Sequence, residues 1–218
     1  RDPTARFRRA DLMSPTRQLF PTQVYVAPLK RGGVDAFNRQ ILKESMQLRA
    51  DDRAGRLWSK SKYPGGYTSY GSQCQLQRIS PTFAALERYL APHLKKFTTD
   101  LAFDMRGRSL VMTDCWVNIM PKGVVHSLHL HPVSTISGTY YVQVPAGSSG
   151  LKFEDPRLDR FMAAPPRKAS APAALRPWHT VLAKVGQVVL FESWLRHEVP
   201  PNPTGGERVS ISFNFNWF

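Results

Sequence analysis

The stretch Arg208-Val209-Ser210-Ile211-Ser212-Phe213-Asn214-Phe215-Asn216-Trp217 alternates without a break, polar at every even position and apolar at every odd one. Successive side chains of a strand point to opposite faces. One face therefore carries Arg208, Ser210, Ser212, Asn214 and Asn216, and the other Val209, Ile211, Phe213, Phe215 and Trp217. The apolar face needs a layer packed over it. The polar face either meets water or lines a cavity, and alternation alone fits both. Three upstream histidines decide for the cavity: in His126-Ser127-Leu128-His129-Leu130-His131, strand geometry puts His129 and His131 on one face and His126 on the other. A same-strand pair offers two adjacent donors to a metal ion. A third donor from elsewhere, for which His197 is the candidate, completes one face of the ion and leaves the opposite positions open.

The surrounding sequence supplies the rest of a barrel. Runs of strand character recur at 110–120, 124–131, 138–144, 151–153, 179–184 and 187–191, separated by turn residues. Many short strands predict a mainly β fold, a double-stranded β-helix (jelly roll, cupin-like), with helices packed outside it. The helices come first. A strand in 18–29 precedes a helix over 35–48, capped by Asp35 and carrying Phe37, Ile41, Leu42 and Leu48. A second helix opens at Ser80-Pro81 with the stripe Phe83, Leu86, Leu90, Leu94 and Phe97. Between them, Tyr63-Pro64-Gly65-Gly66-Tyr67 and Tyr70-Gly71-Ser72 form a loop whose aromatic residues either border a pocket or pack the loop down. The 218 residues suit one domain. Its expected parts are a flexible tail at 1–16, a strand and helices at 17–100, and a β core at 105–218. That core is interrupted by an insertion at 156–177, rich in Pro, Ala, Arg and Lys, which is a lid or a surface excursion.

Composition narrows the partners. The formal charge of +14 is front-loaded: residues 1–62 hold 14 Lys and Arg against 6 Asp and Glu. No dense basic helix or zinc-knuckle pattern follows, so a solvated basic surface is favoured over a nucleic-acid site, though phosphate binding stays open. No apolar run reaches membrane-spanning length and the Arg-rich start is unlike a signal peptide, so a soluble, cytoplasmic chain is expected. Cys74 and Cys115 form neither a ligand pair nor a disulfide framework. Oligomeric state leaves no mark.

Arg208 adds a second function to the polar face. Its rigid fork of donors suits a carboxylate, and Ser210 can add a hydroxyl to the same group. Together they can hold the far end of a dicarboxylate whose 2-keto acid end chelates the metal. On a second strand Ser137, Thr139, Tyr141 and Gln143 share a face, which directs Tyr141 to the same carboxylate. On a third, Asp114, Trp116, Asn118 and Met120 share a face, making Asn118 a lining residue. His126 and His179 are rival ligands, read here as structural, and His93 is expected to be exposed on its helix. Glu154 and Asp155, followed by Pro156 and Arg157, read as a turn with an ion pair.

In the order and spacing of these residues the sequence resembles the 2-oxoglutarate and Fe(II)-dependent oxygenase superfamily, including its prolyl-hydroxylase-like branch, over about residues 110 to 218. That superfamily uses His-x-Asp/Glu, a distal His and a following Arg-x-Ser. Here the corresponding residues are His129-x-His131, His197 and Arg208-x-Ser210. Gly123 and the run Lys184-Val185-Gly186-Gln187-Val188-Val189-Leu190-Phe191 are similar to the family's turn and strand. His131-Pro132, Ser137-Gly138-Thr139-Tyr140-Tyr141 and Phe191-Glu192-Ser193-Trp194-Leu195-x-His197 resemble a bacterial and phage group of such proteins. The resemblance implies an enzyme with Fe(II) and 2-oxoglutarate as cofactors. It would couple oxidative decarboxylation of 2-oxoglutarate by O2 to hydroxylation of a small molecule or peptide that the sequence does not identify. The departure is His131, where the superfamily has a carboxylate. Three neutral imidazoles leave the centre one charge more positive and widen the choice of metal. Three alternatives stay open: His129 and His197 as sole ligands, a three-histidine iron or zinc enzyme without 2-oxoglutarate, and a non-catalytic cupin-like binding module.

Overall fold

The computed structural model describes residues 15–157 and 162–218. Most of the expected tail at 1–16, and residues 158–161 of the expected insertion, lie outside the described residues. Among the described residues the chain runs β1 (Val24–Pro28), α1 (Val34–Asp51), α2 (Arg53–Lys62), β2 (Tyr67–Thr68), α3 (Leu76–Ile79), α4 (Pro81–Asp100), β3 (Leu110–Met120), β4 (His126–His129) and β5 (Ile136–Gln143). It continues through β6 (Leu151–Glu154), a 3-10 turn at Ala173–Leu175, β7 (Trp178–Val181), β8 (Gln187–Glu192), β9 (His197–Val199) and β10 (Arg208–Trp217). None of these helices is long and apolar enough to cross a membrane.

Two antiparallel sheets face each other, a six-stranded one in the order β1-β8-β5-β10-β3-β2 and a four-stranded one in the order β4-β9-β6-β7. This is the expected double-stranded β-helix. The alternating stretch becomes β10, in the interior of the larger sheet between β3 and β5. Its odd residues Val209, Ile211, Phe213 and Phe215 are buried against Ile41 of α1 and Leu86, Leu90, Leu94 and Phe97 of α4. Each such side chain contributes about 1.5–3 kcal/mol by leaving water. Gly138 on β5 leaves room for the Phe213 ring, since a Cβ there would lie 2.5 Å from it and 2.6 Å from the Val189 carbonyl oxygen. The even residues face the smaller sheet, and a second apolar cluster including Met120, Tyr141, Phe153, Phe191 and Val199 fills the space around them.

The helical layer departs from expectation, first in that α1 is entered from Gly33, with Asp35 inside its first turn rather than capping it. Helix α2, whose buried positions are Gly55 and Ser59 rather than large apolar side chains, is started by Asp52, whose Oδ1 accepts from the Gly55 N–H at 2.8 Å. Burial disfavours the charge on Asp52, but hydrogen bonds from Ser72, the Gly55 backbone and Tyr67 outweigh it and hold the carboxyl below its usual range. Those bonds also tie the turn-rich loop to α2, so Tyr63 at the helix end is fixed with its side chain buried. His93, expected to be exposed, is half-buried. Its Nδ1 lies 2.9 Å from the Tyr25 hydroxyl and its Nε2 2.8 Å from the Leu29 carbonyl, linking α4 to β1.

Candidate metal centre

Strands β4 and β9 pair His129 with His197 and His126 with Val199, so that Ser127 and Leu128 on one strand face the single residue Glu198 on the other. The extra residue is a bulge, which re-aims the side chains on one side of it. His126 therefore joins the inner face, where simple alternation had placed it outside. Its ring stacks on His129 at 4.5 Å with 13° between planes. His131 lies beyond the end of β4, where its backbone N–H donates to the Ser193 carbonyl at 3.0 Å.

The three predicted ligands converge. Ring centroids are 4.3 Å apart for His129 and His197, and 5.2 Å for each of the other two pairs. One nitrogen from each lies within 4.8 Å of the others. Hydrogen bonds settle the tautomers. Nδ1 of His129 donates to the Ser127 carbonyl at 2.7 Å, Nδ1 of His197 to the Leu195 carbonyl at 2.9 Å, and Nδ1 of His131 to Asn214 Oδ1 at 2.7 Å. Carbonyl oxygens only accept, so each Nδ1 carries the proton and each Nε2 keeps its lone pair. Burial keeps the rings neutral. It pushes them below the usual histidine range, to about 4 at His131, about 3 at His126 and about 2 at His197, with neighbouring imidazoles adding to the effect at those three; His129 is lowered too.

The same cavity is lined by Arg208, Ser210 and Asn118. Arg208 is 2% exposed, yet its hydrogen bonding is poor. Nη1 donates to the Met120 sulfur at 3.2 Å, the guanidinium lies 4.9 Å from the Tyr141 ring centre, and Nε has no partner. Among the described residues no carboxylate pairs with it. Tyr141 is buried behind the guanidinium, its hydroxyl without well-formed hydrogen-bond geometry, and burial raises its pKa against the opposing charge of Arg208. Asn118 donates from Nδ2 to Ser212 Oγ at 3.0 Å and leaves Oδ1 unpartnered. An uncompensated buried guanidinium costs several kcal/mol unless an anion joins it, so this end of the cavity is built for one.

Three residues stand closer to the site than their sequence reading placed them. Tyr63 packs on His126 at 5.3 Å and buries a hydroxyl without a partner. Asn214 was placed on the polar face, but its bond to His131 needed the fold. His126 needed the bulge. The other rivals stand apart: His179 is exposed, Glu154 pairs with Arg196 at 3.1 Å and Asp155 with Arg157 at 3.0 Å. A second, separate hollow is lined in part by Arg17, Phe20, Glu154, Leu175 and Phe153, whose ring lies 6.0 Å from that of His197.

The jelly-roll barrel thus brings three convergent neutral imidazoles and a buried guanidinium without a carboxylate partner among the described residues into one cavity. Residues 114–214 match a family model described as "Putative 2OG-Fe(II) oxygenase". In fold the chain is similar to the non-haem alpha ketoglutarate dependent epimerase SnoN from nogalamycin biosynthesis, at 16% identity over 90% of this chain and 77% of that one, with a TM-score of 0.56. It is similar to a Pseudomonas putida prolyl-4-hydroxylase at 15% identity over 89% and 92%, TM-score 0.55. It is also similar to HygX from Streptomyces hygroscopicus, solved with nickel, 2-oxoglutarate and hygromycin B bound, at 16% identity over 90% and 83%, TM-score 0.57. No curated protein matches the chain by sequence. The family-model match takes in the strands from β3 to most of β10, which carry the histidine cluster and Arg208.

Proposed function

We propose that His129, His131 and His197 hold Fe(II) through Nε2, and that Arg208, with Ser210, Tyr141 and Asn118 around it, seats the distal carboxylate of 2-oxoglutarate. The observation that carries this is the pairing, in one cavity, of three donor nitrogens with a buried cation lacking a counter-ion. The donor set fits a divalent ion of borderline softness, and the guanidinium fits a carboxylate. Bound iron with 2-oxoglutarate and O2 would supply oxidative decarboxylation coupled to hydroxylation of a substrate C–H bond.

The residues of the chain do the positioning. Backbone carbonyls of Ser127 and Leu195 and the amide of Asn214 hold the imidazoles in the ligating tautomer. Arg208 and Ser210 fix the co-substrate at its far end, which sets how deeply its other end reaches toward the histidines. Phe191 and Phe153 cover His197 and keep water from that side. HygX, of similar fold, is solved with a small molecule bound, which supports a small-molecule substrate for this site. The test is anaerobic. Adding 2-oxoglutarate to the Fe(II)-loaded protein should raise a visible metal-to-ligand charge-transfer band, and Arg208→Ala should weaken it at equal 2-oxoglutarate. A protein that binds the metal but gives no band sinks the 2-oxoglutarate assignment and leaves a three-histidine metalloenzyme of another kind.

A further inference from the structure

His131 stands where the family pattern has a carboxylate, and a carboxylate lies one hydrogen-bonded step behind it. The three candidate ligands are not held alike. His129 and His197 each donate to a carbonyl two residues back in the chain, so their rings are fixed locally. His131 lies past the end of β4, and its Nδ1 finds its acceptor 83 positions away, at Asn214 Oδ1 on β10. That amide is itself constrained. In the ladders of β10, Asn214 sits opposite Asp114 on β3 and Ser137 on β5. Its Oδ1 also accepts from Ser137 Oγ at 2.8 Å, and its Nδ2 approaches Asp114 Oδ2 at 3.4 Å. An ionised carboxylate can only accept, so the amide nitrogen must face Asp114 and the oxygen must face the imidazole. Asp114 Oδ2 takes a further hydrogen bond from Thr113 Oγ1 at 2.8 Å, which keeps the carboxylate in place.

We propose that Asn214 is a positioning residue that makes His131 a metal ligand, and that Asp114 returns through its amide part of the negative charge lost with the absent carboxylate ligand. This rests on the three-histidine reading above. The amide dipole points its negative end at the Nδ1–H, and the carboxylate behind it strengthens that polarisation. An imidazole polarised this way is a better donor at Nε2. The chain therefore keeps a carboxylate in register with the site while moving it outside the ligand set.

Co(II) binding to the full chain tests this without turnover. Binding is followed by quenching of tryptophan fluorescence, since the Trp116 ring lies 5.8 Å from His131, and by the visible Co(II) spectrum. Asn214→Ala should weaken Co(II) binding by about 10- to 100-fold, the usual effect of losing such a partner. The double variant Asn214→Asp/Asp114→Asn, which exchanges amide and carboxylate and so keeps both an acceptor for His131 and a donor between the two side chains, should restore affinity and shift the visible band. Asp114→Asn should weaken binding less than Asn214→Ala does. Melting of the apoproteins separates loss of fold from loss of the ligand's orientation. If Asn214→Ala binds Co(II) within twofold of wild type while His131→Ala does not bind, the positioning role is wrong and the three-histidine reading survives. Failure of that double variant to restore binding likewise overturns it. If His131→Ala binds as well as wild type, the ligand reading itself falls.

Discussion

Replacing Arg208 by methionine should make the protein more stable and unable to hold its co-substrate. The wild-type guanidinium is 2% exposed and receives only a sulfur contact, a tyrosine face and no carboxylate among the described residues. Exchanging buried charge for apolar volume commonly gains about 1–4 kcal/mol. Losing the contact with Tyr141 returns about 0.5–2 kcal/mol of that. A net gain of about 1–2 kcal/mol should raise the apoprotein's Tm by about 2–8 °C for a chain of this size. Binding moves the other way. Two charge-assisted hydrogen bonds to a carboxylate contribute about 1.5–3 kcal/mol each, so the variant should bind 2-oxoglutarate about 100- to 10,000-fold more weakly. Thermal melts of nickel-loaded protein read both effects. At 2-oxoglutarate one hundred times its wild-type Kd, wild type gains about 2.7 kcal/mol and Arg208→Met almost nothing. A variant that loses apoprotein stability by more than 2 kcal/mol yet responds fully to 2-oxoglutarate would refute the anion-seat reasoning.

The histidine cluster sets a pH dependence. Four imidazoles have folded pKa values depressed below 6.5, so below that pH the unfolded chain binds protons that the folded chain refuses. Apoprotein stability should fall from pH 6.5 toward pH 4, by up to about 1.4 kcal/mol per pH unit for each group; urea melts that stay flat across that window would contradict the burial of these rings. His131→Asp restores the family's usual carboxylate, so it should retain Fe(II) in an anaerobic equilibrium dialysis that His197→Ala fails. Truncating Phe213→Ala, on the apolar side of β10, should cost about 3–5 kcal/mol in a denaturant titration without lowering the affinity of the remaining folded protein for Co(II).

Much of this was legible because β10 reads its two environments residue by residue. A strand packed on helices outside and on a polar cavity inside must alternate, and the alternation from Arg208 to Trp217 gave both the strand's bounds and its orientation. The alternating faces of β3 and β5 followed the same rule and placed Asn118 inside and Tyr141 beside Arg208. The rule broke at His126, because one extra residue opposite β9 inverts the facing of everything on one side of it, and nothing in local sequence marks such an insertion. Strand β9 has three residues, too few to show a period. Helix α2 depends on the Asp52 cap and on hydrogen bonds from the loop rather than on an apolar stripe. Asn214 and His131 meet across the barrel, a contact between sheets that only the closed fold supplies.

The most direct measurement is an anaerobic crystal structure of the protein with Fe(II) and 2-oxoglutarate. The account predicts one ion touched by Nε2 of residues 129, 131 and 197, with the far carboxylate of the ligand on the guanidinium of residue 208. An ion held without the ring of residue 197, or a ligand carboxylate lodged away from that guanidinium, would contradict it.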